Sequence, residues 1–425
     1  MTEKSNKLLV KVRGTQDILP TQAFFYQQIQ QITQNILNRA GYQPIILPTY
    51  EYRELFTTSV GEATDIVQKE MFTFFDRKGR QLVLRPEGTA STVRLVCQNK
   101  LVSPGHPLRL YYWGNMFRYE RPQKGRYREF WQLGIELINA EGIIADGELF
   151  LLIKQIIKSF DLKKNTVLHW NYLGRSETKE KYKSILKKYL KNKEICSDCQ
   201  KRYQLNPLRI LDCKICHLEN LPSYKKVLAE NDLIYLEELT EILNNLEINH
   251  YYNEYLVRGL DYYNGVVFEL LLNDDKQVIL GGGRYDQLFW QLGNISLPAA
   301  GFALGVDRLV NYLSITDKKN CPKTELQPDI LFLILEKTAH SLVLSWREKL
   351  SKNCKIVSNL EIKKIKNVLK SINYYSPRLA VIIGKKELKE EKVLIKDCQE
   401  KKEFTIKQKE LVNWICNHLS TKNVI

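Results

Sequence analysis

Leu110-Tyr111-Tyr112-Trp113-Gly114-Asn115-Met116-Phe117-Arg118-Tyr119-Glu120 and Glu129-Phe130-Trp131-Gln132-Leu133-Gly134-Ile135-Glu136-Leu137-Ile138 are two strand-like runs joined by the basic loop Arg121-Pro122-Gln123-Lys124-Gly125-Arg126-Tyr127-Arg128. Side chains alternate across a strand with period two. The second run therefore places Trp131, Leu133, Ile135 and Leu137 on one face and Phe130, Gln132, Gly134 and Glu136 on the other. The first of these faces is wholly apolar and must pack on a core. The second carries an amide and a carboxyl separated by a glycine, which leaves room for something to lie against the sheet. The first run puts Tyr112, Gly114, Met116, Arg118 and Glu120 on one face. Taken alone, the hairpin fits a half-exposed antiparallel sheet with a solvated turn.

Four further segments change that reading. Leu84-Arg85-Pro86-Glu87-Gly88-Thr89 puts Arg85, Glu87 and Thr89 on one parity, with Pro86 marking a strand end. Leu256-Val257-Arg258-Gly259-Leu260-Asp261-Tyr262-Tyr263-Asn264 gathers a cation, a carboxylate and two phenols around a glycine. Gly281-Gly282-Gly283-Arg284-Tyr285-Asp286 allows close backbone approach to a ligand, and Gly301-Phe302-Ala303-Leu304-Gly305-Val306-Asp307-Arg308-Leu309 runs from a small-residue strand into a helix carrying an arginine. None is a phosphate-binding Gly-Lys-Ser/Thr loop or a dinucleotide fingerprint.

Around these segments the text is that of a multidomain globular chain. It has 425 residues, 44% hydrophobic and 26% charged, which excludes disorder or coiled coil as the main architecture. No apolar run approaches the roughly 20 residues of a membrane span, and Met1 to Val10 lacks an apolar leader core. Helical spacing covers Thr21 to Ala40, Gly147 to Phe160, Lys179 to Leu190 and Leu233 to Leu246, and strand patterns return at Val257 to Leu272 and Gln277 to Gly281. Thr316 to Pro328 reads as a linker. Beyond it, short strands and helices alternate from Ile330 to the end, as in a small α/β domain with a mixed sheet.

The net charge is +16 and unevenly placed. Residues 329–425 hold 20 Lys and Arg against 11 Asp and Glu, and Lys179 to Lys214 holds 11 against 4. Two basic regions on a mild body suit a polyanionic partner. The nine cysteines are an odd number, unsuited to a disulfide framework. Four of them form Cys196-x-x-Cys199 and Cys213-x-x-Cys216, a spacing suited to one tetrahedral structural Zn²⁺, with His217 a possible substitute ligand. A cluster of free thiols is the alternative.

The motifs resemble the histidyl-tRNA synthetases, a class II family, over nearly the whole chain. Arg13-Gly14-Thr15-Gln16-Asp17 with Leu19-Pro20 is similar to the family's N-terminal signature, and Gly41 to Pro48 to motif 1, which builds its dimer interface. Phe117 through Glu136 resembles motif 2 and Gly301 to Leu309 motif 3. Leu256 to Asn264 and Gly281 to Asp286 resemble the two segments peculiar to the histidine enzymes, the first being the sharpest signal. The implied fold is α+β: an antiparallel β-sheet catalytic domain flanked by helices over 1–320, with a helical insertion at about 175–248. A linker at 321–328 and an α/β anticodon-binding domain at 329–425 would follow.

The resemblance also implies roles. Glu87, Thr89 and Gln132 would hold the α-amino group of L-histidine, and Glu136, Tyr262 and Tyr263 its imidazole. Arg118 and Arg258 would flank the α-phosphate as the catalytic pair, with Arg258 also against the amino acid. Glu120, Arg126 and Arg308 would join Arg118 in binding ATP. ATP, Mg²⁺, tRNA(His) and a second copy of the chain are the expected partners, without a membrane. The rival reading is the catalytically silent paralogue that regulates ATP phosphoribosyltransferase in histidine biosynthesis. It generally loses the ATP-site residues and the C-terminal domain that this chain carries. A class II synthetase for another amino acid lacks the Arg258 to Asn264 segment, and a non-catalytic nucleic-acid binder leaves the polar sheet face unexplained. A bacterial-type cytoplasm is the expected location, with a plastid-encoded protein of the stroma as the alternative.

Overall fold

The computed structural model describes residues 9–61, 64–123, 125–213, 215–216, 218–273, 276–316, 327–362 and 365–420. The expected linker falls largely outside them, as does His217. The chain divides into two compact units, Met1–Lys318 and Lys319–Ile425.

The first unit opens with α1 (Pro20–Arg39), whose Phe25, Tyr26, Ile29 and Leu37 are buried along one stripe; Pro20 starts the helix where its missing N–H costs nothing. Then follow β1 (Gln43–Ile45), β2 (Tyr50–Tyr52), α2 (Arg53–Val60), β3 (Thr73–Phe75), β4 (Gln81–Leu84) and α3 (Thr89–Asn99). The long hairpin is β5 (Leu108–Phe117) and β6 (Glu129–Ile138), succeeded by α4 (Gly142–Ser159) and β7 (Thr166–Tyr172). A helical stretch comes next: α5 (Ser176–Leu190), α6 (Ser197–Leu205), a 3₁₀ turn at Pro207–Asp212 and α7 (Glu230–Asn245). The unit finishes with β8 (His250–Tyr252), β9 (Asn264–Leu272), β10 (Val278–Arg284), α8 (Leu288–Gly293), β11 (Ala299–Gly305) and α9 (Val306–Thr316).

Its main sheet has the order β1-β5-β6-β11-β10-β9-β7-β8. The β1–β5 and β7–β8 pairs are parallel and the five central pairings antiparallel. β2, β4 and β3 form a separate small antiparallel sheet. Leu133, Ile135 and Leu137 are buried as expected while Trp131 is half-buried, and the opposite face is covered as well, at Gly134 and Glu136; Gln132 stands opposite Gly114 in register.

Two expected elements differ. The strand pattern from Val257 becomes a strand only at Asn264, because the carboxylate of Asp261 is held by Asn206 and Arg209 and turns Gly259 to Tyr263 away from the sheet. Nor does one strand parity carry Arg85, Glu87 and Thr89 to a common site. The strand ends at Leu84, Thr89 opens α3, and the Arg85 guanidinium instead donates to the carbonyls of Leu47, Pro48 and Asn115.

The second unit contains β12 (Ile330–Ile334), α10 (His340–Leu350), β13 (Ile356–Ser358), α11 (Ile365–Tyr375), β14 (Leu379–Ile383), α12 (Lys385–Lys389), β15 (Lys392–Asp397), β16 (Lys402–Lys407) and α13 (Leu411–Ser420). Its sheet order is β13-β12-β14-β15-β16, parallel across the first three strands and antiparallel thereafter. Ile330, Phe332 and Ile334 pack under Val343 and Trp346, while Leu331 and Leu333 face Ile372 and Tyr375 on the other side. Burial on both faces is why β12 and β14 read as unbroken apolar runs.

Candidate active site

The two faces of the β5–β6 hairpin extend across β11, β10 and β9. On the polar side one row runs Tyr112, Gly134, Ala303, Gly281, Glu269, and beside it Leu110, Glu136, Gly301, Gly283, Val267. The middle of the sheet is thus floored by small residues, and larger side chains from outside lie upon it. The Tyr112 ring takes the space that a Cβ at Gly134 would fill, and the Arg258 guanidinium takes the space over Gly281. The room that the sequence pattern reserves for a ligand at these two glycines is used in the folded chain by its own side chains, which close packing brings from loop and neighbouring strand.

Over this floor lies a cavity of about 150 Å³, lined by Arg118, Glu120, Arg126, Gln132, Arg258 and Arg308 among others. These are six of the residues that the motifs single out. Arg118 donates from Nε to the Pro86 carbonyl at 2.9 Å and its guanidinium sits over the Phe130 ring. Arg126 pairs with Glu120 at 3.0 Å. Arg308, in the first turn of α9, donates to the carbonyls of Gly125 and Val278. Burial, then the charges of Arg126 and Arg118, push its pKa below the ordinary arginine value. Three cations with Glu120 as their neighbouring carboxylate make a place where a polyphosphate relieves mutual repulsion.

Arg258 forms an ion pair with Glu269. Burial works against the cation most strongly, but Glu269 together with Tyr263 and Tyr262 holds the pKa above the ordinary value. Its Nε is buried with no protein acceptor, a donor that a ligand oxygen would satisfy. Glu269 escaped the sequence reading. Its signal is a lone charge inside the apolar run Val266 to Leu272, which on a strand whose neighbours are buried calls for a cationic partner.

The remaining five motif residues, Glu87, Thr89, Glu136, Tyr262 and Tyr263, are all buried. Glu87 accepts from the backbone N–H groups of Thr89 (2.6 Å) and Ala90 (2.9 Å), so it caps the first turn of α3 while retaining lone pairs for a cation. Burial raises its pKa against those two hydrogen bonds. Glu136 accepts from the Thr89 hydroxyl at 2.8 Å and from the Tyr285 hydroxyl. Burial pushes its carboxyl up to about 8, with the bonds from Tyr285 and Thr89 opposing. The Tyr262 and Tyr263 rings lie 4.6 Å apart, and Tyr285 meets Tyr262 edge-on. Two buried carboxyls among phenols favour a ligand that brings positive charge and hydrogen-bond donors.

Tyr285 and Asp307 also exceed the roles read from sequence. Asp307 accepts from the Tyr26 hydroxyl (2.6 Å), Gln16 (2.7 Å) and the Trp131 backbone (2.5 Å), tying the N-terminal segment and α1 to β6 beside Arg308. Lys179 of α5 donates to the Tyr263 carbonyl at 2.7 Å, and burial lowers its pKa to about 8. Replacing Gly281 with alanine is expected to leave the fold intact, since the obstruction is the end of a flexible side chain, yet to displace the Arg258 guanidinium. The catalytic rate should fall at least roughly tenfold with an unchanged melting profile; a wild-type rate in that variant would contradict the placement of Arg258 over Gly281.

A family model described as histidyl-tRNA synthetase matches residues 14–309. The chain is 38% identical over 413 residues to a histidine–tRNA ligase of Mycoplasma capricolum, covering 96% of this chain and 99% of that protein. It is 40% identical over 414 residues to the histidine–tRNA ligase of Bacillus subtilis, covering 94% and 97%. The fold is similar to the crystal structure of apo S. aureus histidyl-tRNA synthetase, with a TM-score of 0.79 at 30% identity over 96% of this chain and 99% of that one. With its arginine-lined cavity and buried carboxyl–phenol cluster built from these same segments, the chain belongs to the histidyl-tRNA synthetase family.

Proposed function

We propose that this chain ligates L-histidine to tRNA(His) through a histidyl-adenylate, releasing AMP and diphosphate. The observation that carries this is the placement of two chemically different groups of side chains over one sheet face: the arginine cavity, lined by Gln132 and Arg258 among others, and the buried cluster in which Thr89 donates to Glu136 beside Glu87, Tyr262 and Tyr263. Glu87 and Thr89 with Gln132 hold the α-ammonium, a cation needing carboxylate and neutral acceptors. Glu136 and Tyr263, beside Tyr262, face the imidazole, which offers a donor and an acceptor on opposite nitrogens.

The chemistry asks for little acid–base catalysis. The histidine carboxylate is already ionised and attacks the α-phosphorus in line, while the bond to the diphosphate oxygen breaks. Arg118 and Arg258 neutralise charge at the α-phosphate, and Arg126 and Arg308 hold the departing phosphates. Glu120, held by Arg126, is the cavity carboxylate suited to Mg²⁺, which favours phosphate oxygens with one or two carboxylates and supplies charge neutralisation. A terminal ribose hydroxyl of the tRNA then attacks the adenylate carbonyl, and AMP leaves.

The regulatory-subunit reading is not favoured, because Arg118, Glu120, Arg126 and Arg308 assemble in one cavity rather than being replaced or scattered. Histidine-dependent ATP–pyrophosphate exchange tests the assignment. Exchange driven by another amino acid, or none with histidine, ATP and Mg²⁺ all present, would sink it.

The wider proposals rest on surface features. A homodimer is supported by exposed apolar side chains around the edge strand β1 and the small sheet: Ile46 is 93% exposed and Phe75 68%, with Tyr50 and Tyr52 nearby. tRNA binding through the C-terminal unit is supported by its net +9 over residues 329–425. Removing that unit should leave histidine-dependent exchange measurable, weaken aminoacylation, and flatten the dependence of tRNA affinity on salt. A truncated chain that charges tRNA as well as the full one would contradict this. Among the described residues no helix is long and apolar enough to cross a membrane. A bacterial-type cytoplasm, or a plastid stroma, is the compartment proposed.

A further inference from the structure

The helical stretch between β7 and β8 contains a nine-residue helix with almost no reason to stay in place. In α6 (Ser197–Leu205), Cys199 is the sole buried residue, so the helix has no apolar stripe to dock. A short helix without a packed face is marginal in water. What holds it is found around its first turn. Cys196 precedes α6, Cys199 lies one turn in, and Cys213 and Cys216 follow the 3₁₀ turn. Their four Sγ atoms lie within 4.8 Å of one another, and Cys196 Sγ is 3.9 Å from Cys213 Sγ.

We propose that these four thiolates bind one structural Zn²⁺. Zinc–sulfur bonds of about 2.3 Å in a tetrahedron place the sulfurs about 3.8 Å apart, so only small side-chain rotations separate the observed cluster from a closed site. The 3.9 Å between Cys196 and Cys213 Sγ is far outside disulfide distance, and all four cysteines are unbridged. The backbone is already arranged around them. The N–H groups of Ile215 and Cys216 point to Cys213 Sγ at 3.4 and 3.3 Å, and the Cys196 N–H points to Cys216 Sγ at 3.2 Å. Such bonds orient thiolate ligands and offset their charge. Binding converts four thiols into a dianionic tetrathiolate–zinc centre and releases four protons to solvent. All four positions are then filled by protein, which makes the metal a staple and not a reactant.

The staple has a consequence for the site. The span it closes carries Asn206 and Arg209, and both donate to Asp261 Oδ1, at 2.8 and 2.9 Å. Arg209 also donates to the Gly259 carbonyl at 2.6 Å, and Arg202 of α6 pairs with Asp65 at 2.7 Å. Gly259 and Asp261 lie between Arg258 and the Tyr262–Tyr263 pair. Zinc therefore braces, through a rigid α6 and 3₁₀ turn, the segment that aims Arg258. The metal assignment stands without the ligase reading, because its readout is composition.

The test is metal analysis of the full chain purified without chelator, together with cobalt substitution. The expected result is close to one zinc per chain, released by a mercurial in step with thiol modification, and the visible absorption of tetrahedral thiolate-bound cobalt in the exchanged protein. C213S should lose the metal, and amides of residues 196–213 and 256–261 should exchange hydrogen at least roughly tenfold faster than in wild type. Should C213S fail to fold, the cobalt spectrum and the mercurial release of the wild-type chain decide alone. Less than about half an equivalent of zinc in folded protein, iron in its place, or the four cysteines recovered as disulfides would overturn the proposal.

Discussion

Replacing Arg258 with alanine lowers histidine-dependent pyrophosphate exchange roughly 10²–10³-fold, the usual effect of deleting one preorganised charge contact to a developing transition state. The structure explains why the loss should fall on kcat rather than on histidine binding. The guanidinium lines the arginine cavity, fixed by Glu269 on one side and by the open floor at Gly281 beneath. The α-ammonium and imidazole contacts are proposed for other side chains. Glu269→Gln provides the companion measurement: it keeps the shape but removes the counter-charge, so exchange should fall less than in Arg258→Ala, and the double variant should add little to the single arginine change. Additive losses would mean that Glu269 acts independently of Arg258. Exchange near the wild-type rate in Arg258→Ala would remove the arginine from the chemical step altogether.

Replacing Glu136 with glutamine raises the KM for histidine roughly 10–100-fold, the scale of leaving one buried hydrogen-bonding group unsatisfied. It also changes stability with pH in the opposite sense to most carboxylates. The Glu136 carboxyl, ordinarily near 4.5, is pushed up to about 8 by burial. The folded chain therefore holds this proton where the unfolded chain has lost it. Stability from the group is complete below pH 4.5 and declines as the pH rises to about 8, by up to about 1.4 kcal/mol per pH unit. Glutamine has no such proton to lose. The variant should gain on wild type steadily between those limits and be the more stable protein at pH 9, by a margin on the order of a few kcal/mol. Thermal melts at pH 5, 7 and 9 check it. Parallel profiles for the two proteins would show that Glu136 titrates as an ordinary carboxyl, and unchanged selection of histidine over glutamine would show that it does not read the side chain.

These two outcomes separate selectivity from rate. In the proposed reading Glu136 and Tyr263 read the side chain, and Arg258 and Arg118 stand where charge moves. Tyr285 braces the first pair, since its hydroxyl holds Glu136 while its ring packs on Tyr262. Substituting phenylalanine there removes the bond and keeps the packing, so its effect should appear in KM for histidine with little change in kcat.

Much of this arrangement follows from sequence because it is local. Period-two alternation in Glu129 to Ile138 puts Gln132, Gly134 and Glu136 on one face whatever strand lies beside them, and the observed pairing opposite Gly114, Tyr112 and Leu110 respects it. The unbroken apolar runs Ile330–Ile334 and Leu379–Ile383 likewise announce strands covered on both sides. The resemblance of the motifs to a known family adds which of the polar residues belong to one site. What alternation cannot specify is which distant segment fills the space above a small residue. Gly281 reads as an opening in the sequence, and only the tertiary structure shows Arg258 lying across it with Glu269 opposite. Asp307 gathers Gln16 and Tyr26 from nearly 300 residues away, and four cysteine sulfurs converge around a helix that has nothing else to bury. Side-chain direction along one element is set by backbone geometry within a few residues. The partners across elements are set by long-range packing, where close approach and the cost of burying an unpaired charge decide which side chains must meet.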